Sequence, residues 1–232
     1  MTDPTHPSAN RRIRSFVRRE GRMTDAQREA LEVLSPRFCI DPSDAFLDFD
    51  GLFGRSAPVH VEIGFGMGQS LIHMAQHAPD NNYLGIEVYR PGVGHLLRHL
   101  DQQGVGNVRV ACADAVEVLE RNVPTDSLAA LYLFFPDPWP KKRHHKRRIV
   151  QPAWVELVRS RLQPGGRLHM ATDWEPYAEW MREIMQSAKG WSNEGSMDGY
   201  AARPDYRPET KFERRGLKLG HGVWDLIYLR QE

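Results

Sequence analysis

A regular alternation of short apolar runs with helical patterns begins near residue 58, and it is the feature that most constrains the fold of this 232-residue chain. Candidate strands cover residues 59–63, 83–88, 108–112, 128–135, 167–172 and 223–229. Candidate helices cover residues 70–77, 93–103, 115–121, 152–162 and 176–188, and 164-PGG-166 ends the fourth of them. Because strands joined by helical crossovers form parallel sheets, we predict one doubly wound, mostly parallel α/β sheet.

The run at residues 128–135 is apolar on both faces, which predicts a central strand. It is also the longest apolar run, and its eight residues are too few to cross a bilayer. Residues 1–30 lack a clear apolar period, so we predict a basic, flexible arm there, followed by a single domain over residues 31–232. The N-terminus is polar and lacks a secretory signal, and the expected location is therefore the cytoplasm.

Positive charge is concentrated in two segments, residues 11–22 with six Arg and residues 141–148 with six Lys or Arg. Since the whole chain has a net charge of only +1, the rest of it is acidic overall. Two concentrated basic segments on an acidic body predict a polyanionic partner, with solvated charge runs as the alternative.

The first candidate strand leads into 62-EIGFGMGQS-70, where Gly64, Gly66 and Gly68 allow the backbone to turn sharply and to approach a ligand. The spacing is G-x-G-x-G, whereas dinucleotide-binding loops carry G-x-G-x-x-G. The loop alone is a weak signal, since such turns also serve packing. Its position between a strand and a helix, at the carboxyl edge of the sheet, favours a ligand site.

Three acidic residues follow successive candidate strands: Glu62 ends the first, Glu87 ends the second and Asp114 follows the third. A carboxylate after the second strand suits the hydroxyls of a ribose, but a dinucleotide has no particular need for the other two. In a zwitterionic aminoacyl nucleoside, Glu62 would face the cationic amino end and Asp114 would accept from the adenine amine. The pattern therefore predicts S-adenosylmethionine as the cofactor, with solvated strand ends as the alternative.

The motifs 134-FFPDPWPKKRHHKRR-148 and 210-TKFERRGLKLGHGVWDL-226 resemble those of the bacterial tRNA (guanine-N7-)-methyltransferase family. The resemblance extends through 61-VEIGFGMG-68, 84-LGIEVYR-90 and 171-ATDWEPYAEWM-181. It implies the Rossmann-like fold of class I S-adenosylmethionine-dependent methyltransferases, with a seven-stranded sheet and a late antiparallel C-terminal strand. It also implies methyl transfer to guanosine N7 in the tRNA variable loop (nucleotide 46), which yields 7-methylguanosine and S-adenosyl-L-homocysteine.

The resemblance also implies a role for each matching residue. The cofactor site would contain Glu62, Gly64, Gly66, Gly68, Glu87, Asp114 and Asp137. The substrate site would contain Lys141, Asp173, Thr210, Lys211, Phe212 and Glu213. RNA contacts would come from Arg143, His144, His145, Lys146, Arg147 and Arg148. The expected partner is tRNA, with no membrane and no metal, and the protein would be a monomer or a homodimer.

Asp137 is the candidate catalytic residue on chemical grounds as well. Guanine N7 carries an in-plane lone pair and no proton, so methyl transfer requires alignment rather than a general base. The purine becomes cationic as the methyl group arrives, and a fixed carboxylate would stabilise that charge or orient the reactants. The three prolines of the PDPWP motif restrict the backbone around Asp137. The Watson–Crick edge of guanine would then be bound by Asp173 or Glu213.

Several of these residues have structural alternatives. Trp139 would either stack on a base or cap the core, and Asp173 would either contact guanine or cap the following helix. His144 and His145 have no Cys or acid at metal-ligand spacing, so a metal site is not expected. Three rival functions stay open: an NAD-dependent oxidoreductase, a non-catalytic RNA-binding protein, and a methyltransferase that acts on an exocyclic amine.

Overall fold

The computed structural model describes residues 14–16, 21–42, 45–209, 213 and 222–232. Its helices are α1 (Asp25–Phe38), α2 (Phe49–Phe53), α3 (Gln69–His77), α4 (Arg90–Gln102), α5 (Ala115–Arg121), α6 (Pro152–Arg161) and α7 (Glu175–Ser187), with a 3₁₀ helix over Lys142–Arg147. Its strands are β1 (Cys39–Ile40), β2 (Val59–Ile63), β3 (Asn82–Ile86), β4 (Val108–Ala111), β5 (Leu128–Phe134), β6 (Leu162–Thr172), β7 (Trp191–Asn193) and β8 (Trp224–Arg230). Within these described ranges, none of the helices combines the length and the apolar character that a membrane span requires.

The strands form one sheet in the order β1-β4-β3-β2-β5-β6-β8-β7. Strands β1 to β6 pair in parallel, whereas β8 runs antiparallel to both β6 and β7. This arrangement confirms the doubly wound, mostly parallel sheet and the late antiparallel strand. The sheet has eight strands rather than seven: six correspond to the candidate strands of the sequence, and the two-residue β1 and the three-residue β7 lie at its two edges.

Strand β5 lies between β2 and β6, in the interior of the sheet, as its two apolar faces predict. Its side chains alternate between two apolar cores, with Leu131 and Leu133 on one face and Ala130 and Tyr132 on the other. All four of these side chains are buried. A strand that is covered on both faces buries the side chains of both faces in apolar cores. This explains the continuous apolar run.

The end of helix α6 differs from the sequence prediction. We expected 164-PGG-166 to end the helix, but α6 ends at Arg161 and β6 already begins at Leu162. The pairing of β6 with β5 shifts between Leu128 and Ala130, where the segment containing Gly165 adopts a φ of 75°. The Pro-Gly-Gly segment is therefore an irregularity inside a strand, and its glycine supplies the left-handed backbone that the irregularity needs.

Helix α1 extends across residue 30, where the sequence predicts the boundary between the arm and the domain. The helix begins with a capping box: the Thr24 hydroxyl accepts from the backbone N–H of Gln27, and the Gln27 side chain accepts from the backbone N–H of Thr24. A Cβ atom added at Gly94 of α4 would lie 2.5 Å from the carbonyl oxygen of Gln27, so α1 and α4 approach closely. The chain from Asp25 onward therefore forms a helix that packs against α4.

Candidate active site

A cavity of about 770 Å³ opens at the carboxyl edge of the sheet, where β2 meets β5 and the strand order reverses. Open α/β sheets bind ligands at such a switch point, and small-molecule sites typically enclose about 300–1,000 Å³. Five of the seven predicted cofactor residues line this cavity: Gly64, Gly66, Glu87, Asp114 and Asp137. Glu62 and Gly68 are not among the lining residues.

The glycine-rich loop adopts a backbone that favours glycine at all three positions. The φ angles of Gly64, Gly66 and Gly68 are 71°, 57° and 81°. The loop also packs tightly against the start of α4, because a Cβ atom added at Gly92 would lie 2.0 Å from the carbonyl oxygen of Gly66. The backbone of the loop therefore lies in direct contact with the start of α4.

Glu87 is a second restraint on this loop. Its side chain is buried, and its Oε2 accepts from the backbone N–H of Gly66 at 2.8 Å. Its Oε1 accepts from the backbone N–H groups of Val88 at 2.7 Å and Tyr89 at 2.9 Å. A carboxylate offers about four acceptor positions, so at most about one stays available for a ligand hydroxyl. Glu87 thus organises the cavity wall in addition to its predicted role with the ribose.

Glu62 lies beside the cavity, with only 2% of its surface exposed. One oxygen accepts from the Ser70 hydroxyl, while the other is buried without a hydrogen-bond partner among the described residues. Burial raises the pKa of Glu62 to about 7, the Ser70 hydrogen bond opposes that rise, and the charge of Glu87 adds to it. A buried acceptor without a partner is costly unless a cation or donor reaches it, so this position suits a positively charged group.

Asp114 caps helix α5. Its Oδ1 accepts from the backbone N–H of Val116 at 3.0 Å, which satisfies one of the free donors at the helix start. The side chain is half-exposed and lines the cavity. The cap fixes the carboxylate and leaves further acceptor positions for the predicted contact with an adenine amine.

Asp137 is an exposed side chain on the cavity wall, and its backbone is fixed from both sides. The flanking residues Phe135 and Trp139 have φ angles of 52° and 46°, which bulky side chains rarely adopt. The carbonyl oxygen of Pro138 accepts from Arg148 Nε at 2.9 Å. The structure therefore holds one carboxylate on a backbone with little freedom.

Trp139 packs against other groups of the protein, which supports the capping alternative. Its Nε1 donates to the carbonyl oxygen of Ser15 at 3.1 Å. The guanidinium of Arg147 lies over its ring at 4.9 Å, and the ring of His144 meets it edge-on at 5.8 Å. An RNA base that stacked on this indole would compete with Arg147 for the ring face.

The basic segment forms the 3₁₀ helix and leaves four cations exposed: Lys141, Lys142, Arg143 and Lys146. His144 and His145 are half-buried, and His145 meets the ring of Trp180 edge-on at 5.7 Å. The predicted contact of this segment with RNA phosphates stays a prediction, and these four side chains are the ones exposed to make it.

Arg148 corrects one predicted RNA contact, because its side chain is only 3% exposed. Beyond its bond to Pro138, its guanidinium lies over the rings of Tyr177 at 4.8 Å and Trp180 at 5.1 Å. Burial lowers the pKa of Arg148 from its ordinary value. The residue anchors the Asp137 loop to α7 and does not face phosphates.

Asp173 is exposed just after β6, at the same edge of the sheet as the cavity. The capping alternative for Asp173 is wrong, since α7 has Trp174 at its N-cap position without a side-chain cap. The backbone N–H of Trp174 instead donates to the hydroxyl of Thr172 at 3.2 Å. The Asp173 carboxylate is therefore free of a helix-capping role.

The predicted substrate segment is only partly described. Thr210, Lys211 and Phe212 lie outside the described residues. Glu213 is described, and at 3% exposed it corrects the expectation of an open guanine contact. Its two oxygens accept from Arg207 Nη1 at 2.8 Å and Nη2 at 2.9 Å. This pairing occupies the edge of the carboxylate that a base would need.

Sequence reasoning missed three residues at this site. Ser15 and Phe16 line the cavity, although they fall in the segment predicted as a flexible arm. Arg207 is 1% exposed and binds Glu213, but a single arginine in a polar stretch carries no sequence signal of burial. Its partner Glu213 can be identified only from the folded structure.

The glycine loop, the acids at successive strand ends and the eight-stranded sheet define a class I methyltransferase fold. Solved structures with this fold include the 16S rRNA methyltransferase KamB, with a TM-score of 0.60 and 16% identity over 84% of this chain and 99% of that one. The antibiotic-resistance methyltransferase Kmr matches with a TM-score of 0.54 and 16% identity over 83% of this chain and 95% of that one. At this level of identity the likeness concerns the fold alone.

Residues 56–226 match the family model described as "Putative methyltransferase". A tRNA (guanine-N(7)-)-methyltransferase of Alcanivorax borkumensis is 58% identical over 97% of this chain and 95% of that protein. A tRNA (guanine-N(7)-)-methyltransferase of Aeromonas hydrophila is 60% identical over 95% of this chain and 93% of that protein. The chain therefore belongs to the tRNA (guanine-N7-)-methyltransferase family. This confirms the resemblance of its motifs and excludes the oxidoreductase alternative.

Proposed function

We propose that this protein transfers a methyl group from S-adenosylmethionine to N7 of the guanosine at nucleotide 46 in the tRNA variable loop. The product would be 7-methylguanosine, and the reaction would take place in the cytoplasm. The observation that carries the proposal is Asp137, an exposed carboxylate on a restrained backbone at the wall of the cavity. The names of the curated relatives support the choice of tRNA and of guanine N7.

The residues around the cavity fit S-adenosylmethionine. The buried acceptor of Glu62 suits a cationic amino group, Glu87 and Asp114 offer acceptors at the cavity wall, and the volume fits a ligand of this size. When bound, S-adenosylmethionine supplies an electrophilic methyl group on a sulfonium sulfur. Gly64 and Gly66 leave the cavity wall without side chains, which allows the backbone to approach the ligand.

Asp137 would stabilise the target base as its ring becomes cationic. The N7 lone pair is already exposed in guanine, so no residue has to remove a proton from it. A carboxylate that is fixed before the reaction needs no reorganisation when charge develops, and removal of such an electrostatic contact typically costs about 10²–10³ in kcat. The restrained backbone of the 136–139 segment serves this purpose.

The exposed cations of residues 141–146 would hold the phosphates of tRNA beside the cavity. They directly follow the Asp137 motif in sequence, so an RNA backbone that contacts them lies close to the reacting centre. Phosphate contacts of this kind fix position and register but carry no base specificity. Base recognition would then come from Asp173 and from residues 210–212.

The test is incubation of the protein with S-adenosylmethionine and an unmodified tRNA transcript, followed by mass spectrometry of the nucleosides. We expect 7-methylguanosine from the wild-type transcript and none from a transcript that carries adenosine at nucleotide 46. The isosteric variant Asp137→Asn is the matched enzyme control, since it keeps the size of the side chain and removes its charge.

Two other outcomes would overturn parts of the proposal. Methylation of an exocyclic amine would keep the cofactor and the fold but replace the target atom. Binding of both S-adenosylmethionine and tRNA without methyl transfer would favour the non-catalytic RNA-binding alternative.

A further inference from the structure

Trp174 is an exposed aromatic side chain at the edge of the sheet where the cavity opens, and the proposed chemistry does not use it. It follows Asp173 directly after β6, and 40% of its surface is exposed. Single exposed apolar residues are common on proteins, so exposure alone does not indicate a binding role. The surroundings of the indole and its position beside the cavity do.

The indole of Trp174 differs from the other indoles of the chain. All six tryptophans lie at described positions, and the remaining five are buried or half-buried: Trp139, Trp154, Trp180, Trp191 and Trp224. The Nε1 of Trp180, for example, donates to the carbonyl oxygen of Val150 at 2.9 Å. Within the described part of the chain, no hydrogen bond, aromatic ring or guanidinium is paired with the indole of Trp174. Its ring is therefore available to a partner.

Trp139 is the tryptophan for which the sequence suggests a base-stacking role. Its ring already lies under the guanidinium of Arg147 at 4.9 Å, and its Nε1 is bonded to the carbonyl oxygen of Ser15. A base could stack there only by displacing Arg147. Trp174 can receive a base without displacing such a group.

Backbone hydrogen bonds place Trp174 beside the Asp137 loop. Strand β6 pairs in parallel with β5, and the backbone N–H of Phe135 donates to the carbonyl oxygen of Ala171 at 2.8 Å. Phe135 lies two residues before Asp137. Ala171 lies three residues before Trp174. The two chain segments therefore leave the sheet side by side, with the glycine loop on the far side of β5.

The backbone of Trp174 is held at both of its polar groups. Its N–H donates to the Thr172 hydroxyl at 3.2 Å, and its carbonyl oxygen accepts from the N–H of Tyr177 at 2.8 Å at the start of α7. Trp174 is not among the described residues that line the cavity, so it lies outside the space for the cofactor. An indole on a fixed backbone offers a large contact area at a low cost in conformational entropy.

Unpaired RNA bases commonly stack on aromatic side chains, because every base has a flat π face. A target base in a loop is stacked on its neighbours, and it has to leave them to reach a cavity in a protein. The neighbouring base then loses a stacking partner. An indole beside the entrance can replace that partner and so offset part of the cost of moving the target base.

We propose that Trp174 is a substrate-binding residue that stacks on a base next to the target guanosine. The inference rests on the proposed function, since it assigns the neighbour of the nucleotide that is methylated. Asp173 would then contact the target guanine, and Trp174 would hold the adjoining base. The exposed cations of residues 141–146 would bind the phosphates.

The test measures the affinity of Trp174→Ala, Trp174→Phe and Trp174→Leu for an unmodified tRNA transcript by filter binding at one fixed salt concentration. We expect Trp174→Ala to weaken binding by about fivefold to a hundredfold, the usual range for loss of one stacked base. Trp174→Phe keeps an aromatic ring and should stay within about threefold of wild type. Trp174→Leu keeps an apolar side chain without a ring and should resemble Trp174→Ala. Wild-type affinity in Trp174→Ala, or equal affinities of the Phe and Leu variants, would refute stacking.

Transcripts with an abasic site identify the base in contact. When the base next to nucleotide 46 on the contacted side is missing, Trp174→Ala should bind within about twofold of wild type, because neither protein can stack there. When the base of nucleotide 46 itself is missing, the full loss should remain. A full loss on both neighbouring abasic transcripts, or a loss that disappears only with the abasic site at nucleotide 46, would overturn the assignment.

Phe46→Ala is the matched control, because Phe46 is an exposed aromatic residue at the opposite edge of the sheet. The next residue, Leu47, donates its backbone N–H to the carbonyl oxygen of Asn122 at the end of α5. The control variant should bind tRNA like wild type. Affinity for S-adenosylhomocysteine should change by less than about twofold in all Trp174 variants, since the indole lies outside the cavity. A parallel loss of cofactor and tRNA affinity would indicate a structural role and refute the proposal.

The comparison of Trp174→Phe with Trp174→Leu stays decisive even if Trp174→Ala is destabilised, because both variants keep a large apolar side chain. Failure of the proposed function is seen separately. It would appear as absence of 7-methylguanosine with the wild-type enzyme, whereas these binding measurements require no methyl transfer.

Discussion

Glu62→Gln is expected to stabilise the protein at neutral pH, although it changes a residue of the proposed cofactor site. The buried Glu62 carboxyl has a pKa raised to about 7, against 4.5 for an unperturbed glutamate. Between these two values the unfolded chain releases the proton and the folded chain keeps it. Stability therefore falls as the pH rises from about 4.5 to about 7, and it levels off above that range.

The size of this effect follows from the two pKa values. The titration of Glu62 should cost about 1 kcal/mol of folding free energy at pH 5, about 2 at pH 6 and about 3 at pH 7. Glutamine has the same shape, and its side-chain oxygen accepts from Ser70 as the carboxylate does. Because glutamine does not titrate, the Glu62→Gln variant does not lose this folding free energy.

The measurement is urea unfolding of wild type and Glu62→Gln at pH 5, 6, 7 and 8, with circular dichroism to monitor the unfolding. The quantity of interest is the difference in free energy of unfolding between the two proteins at each pH, since other titrating groups cancel in it. Glu179→Gln, at an exposed position of α7, is the control and should change the free energy of unfolding by less than about 0.5 kcal/mol.

A difference between wild type and Glu62→Gln that stays constant from pH 5 to pH 8 would refute the reasoning. It would mean that Glu62 titrates alike in the folded and unfolded chains, so that burial does not penalise its charge. The unpartnered oxygen would then have no special affinity for a cationic ligand group.

Three further expectations concern the cavity and the basic segment. Asp137→Asn should lower kcat by about 10²–10³ while S-adenosylhomocysteine affinity stays nearly constant, and an unchanged kcat would remove this carboxylate from the chemistry. Replacing Lys142 and Lys146 by Ala should reduce the slope of log K for tRNA binding against log salt concentration by about 0.7–0.9 per residue. An equal reduction in Lys189→Ala, at an exposed position elsewhere, would indicate a nonspecific effect. Gly92→Ala should weaken cofactor binding by about tenfold or more, because its Cβ would displace the glycine loop, while Gly106→Ala meets open space and serves as its control in the same calorimetric titration.

Local patterns predicted the central elements of the fold well. The bounds predicted from the sequence agree with the structure for the strand at residues 59–63 and for the helix at residues 115–121. The predicted strand over residues 83–88 ends earlier, at Ile86, because the N–H groups of Val88 and Tyr89 donate to the Glu87 side chain. Such competition for backbone donors depends on one side-chain conformation, which composition does not reveal.

The residues that line the cavity were predictable because their convergence depends on topology. Carboxyl ends of parallel strands meet at one edge, so Glu87, Asp114 and Asp137 had to converge once the strands were placed. The start of α1 was also within reach, since 24-TDAQ-27 is a capping signal in the sequence.

The substrate side was less predictable because burial of a charge depends on distant partners. Arg148 resembles its exposed neighbours in sequence, yet it binds Pro138 and two aromatic rings inside the protein. Glu213 is buried only because Arg207 accompanies it, and Arg207 in turn depends on Asp225, 18 residues further along the chain. Pairings of this kind are set by tertiary structure and leave no periodic trace.

The three hydrogen bonds of Glu87 have a consequence for how this site can evolve. Both carboxylate oxygens accept from backbone N–H groups, of Gly66 on one side and of Val88 and Tyr89 on the other. Glutamine would turn its amide N–H₂ toward at least one of these donors, and aspartate is one methylene shorter. Neither glutamine nor aspartate at position 87 would therefore preserve the conformation of the loop. Substitutions that change ligand preference are expected at Asp114 or Phe16 more readily than at Glu87.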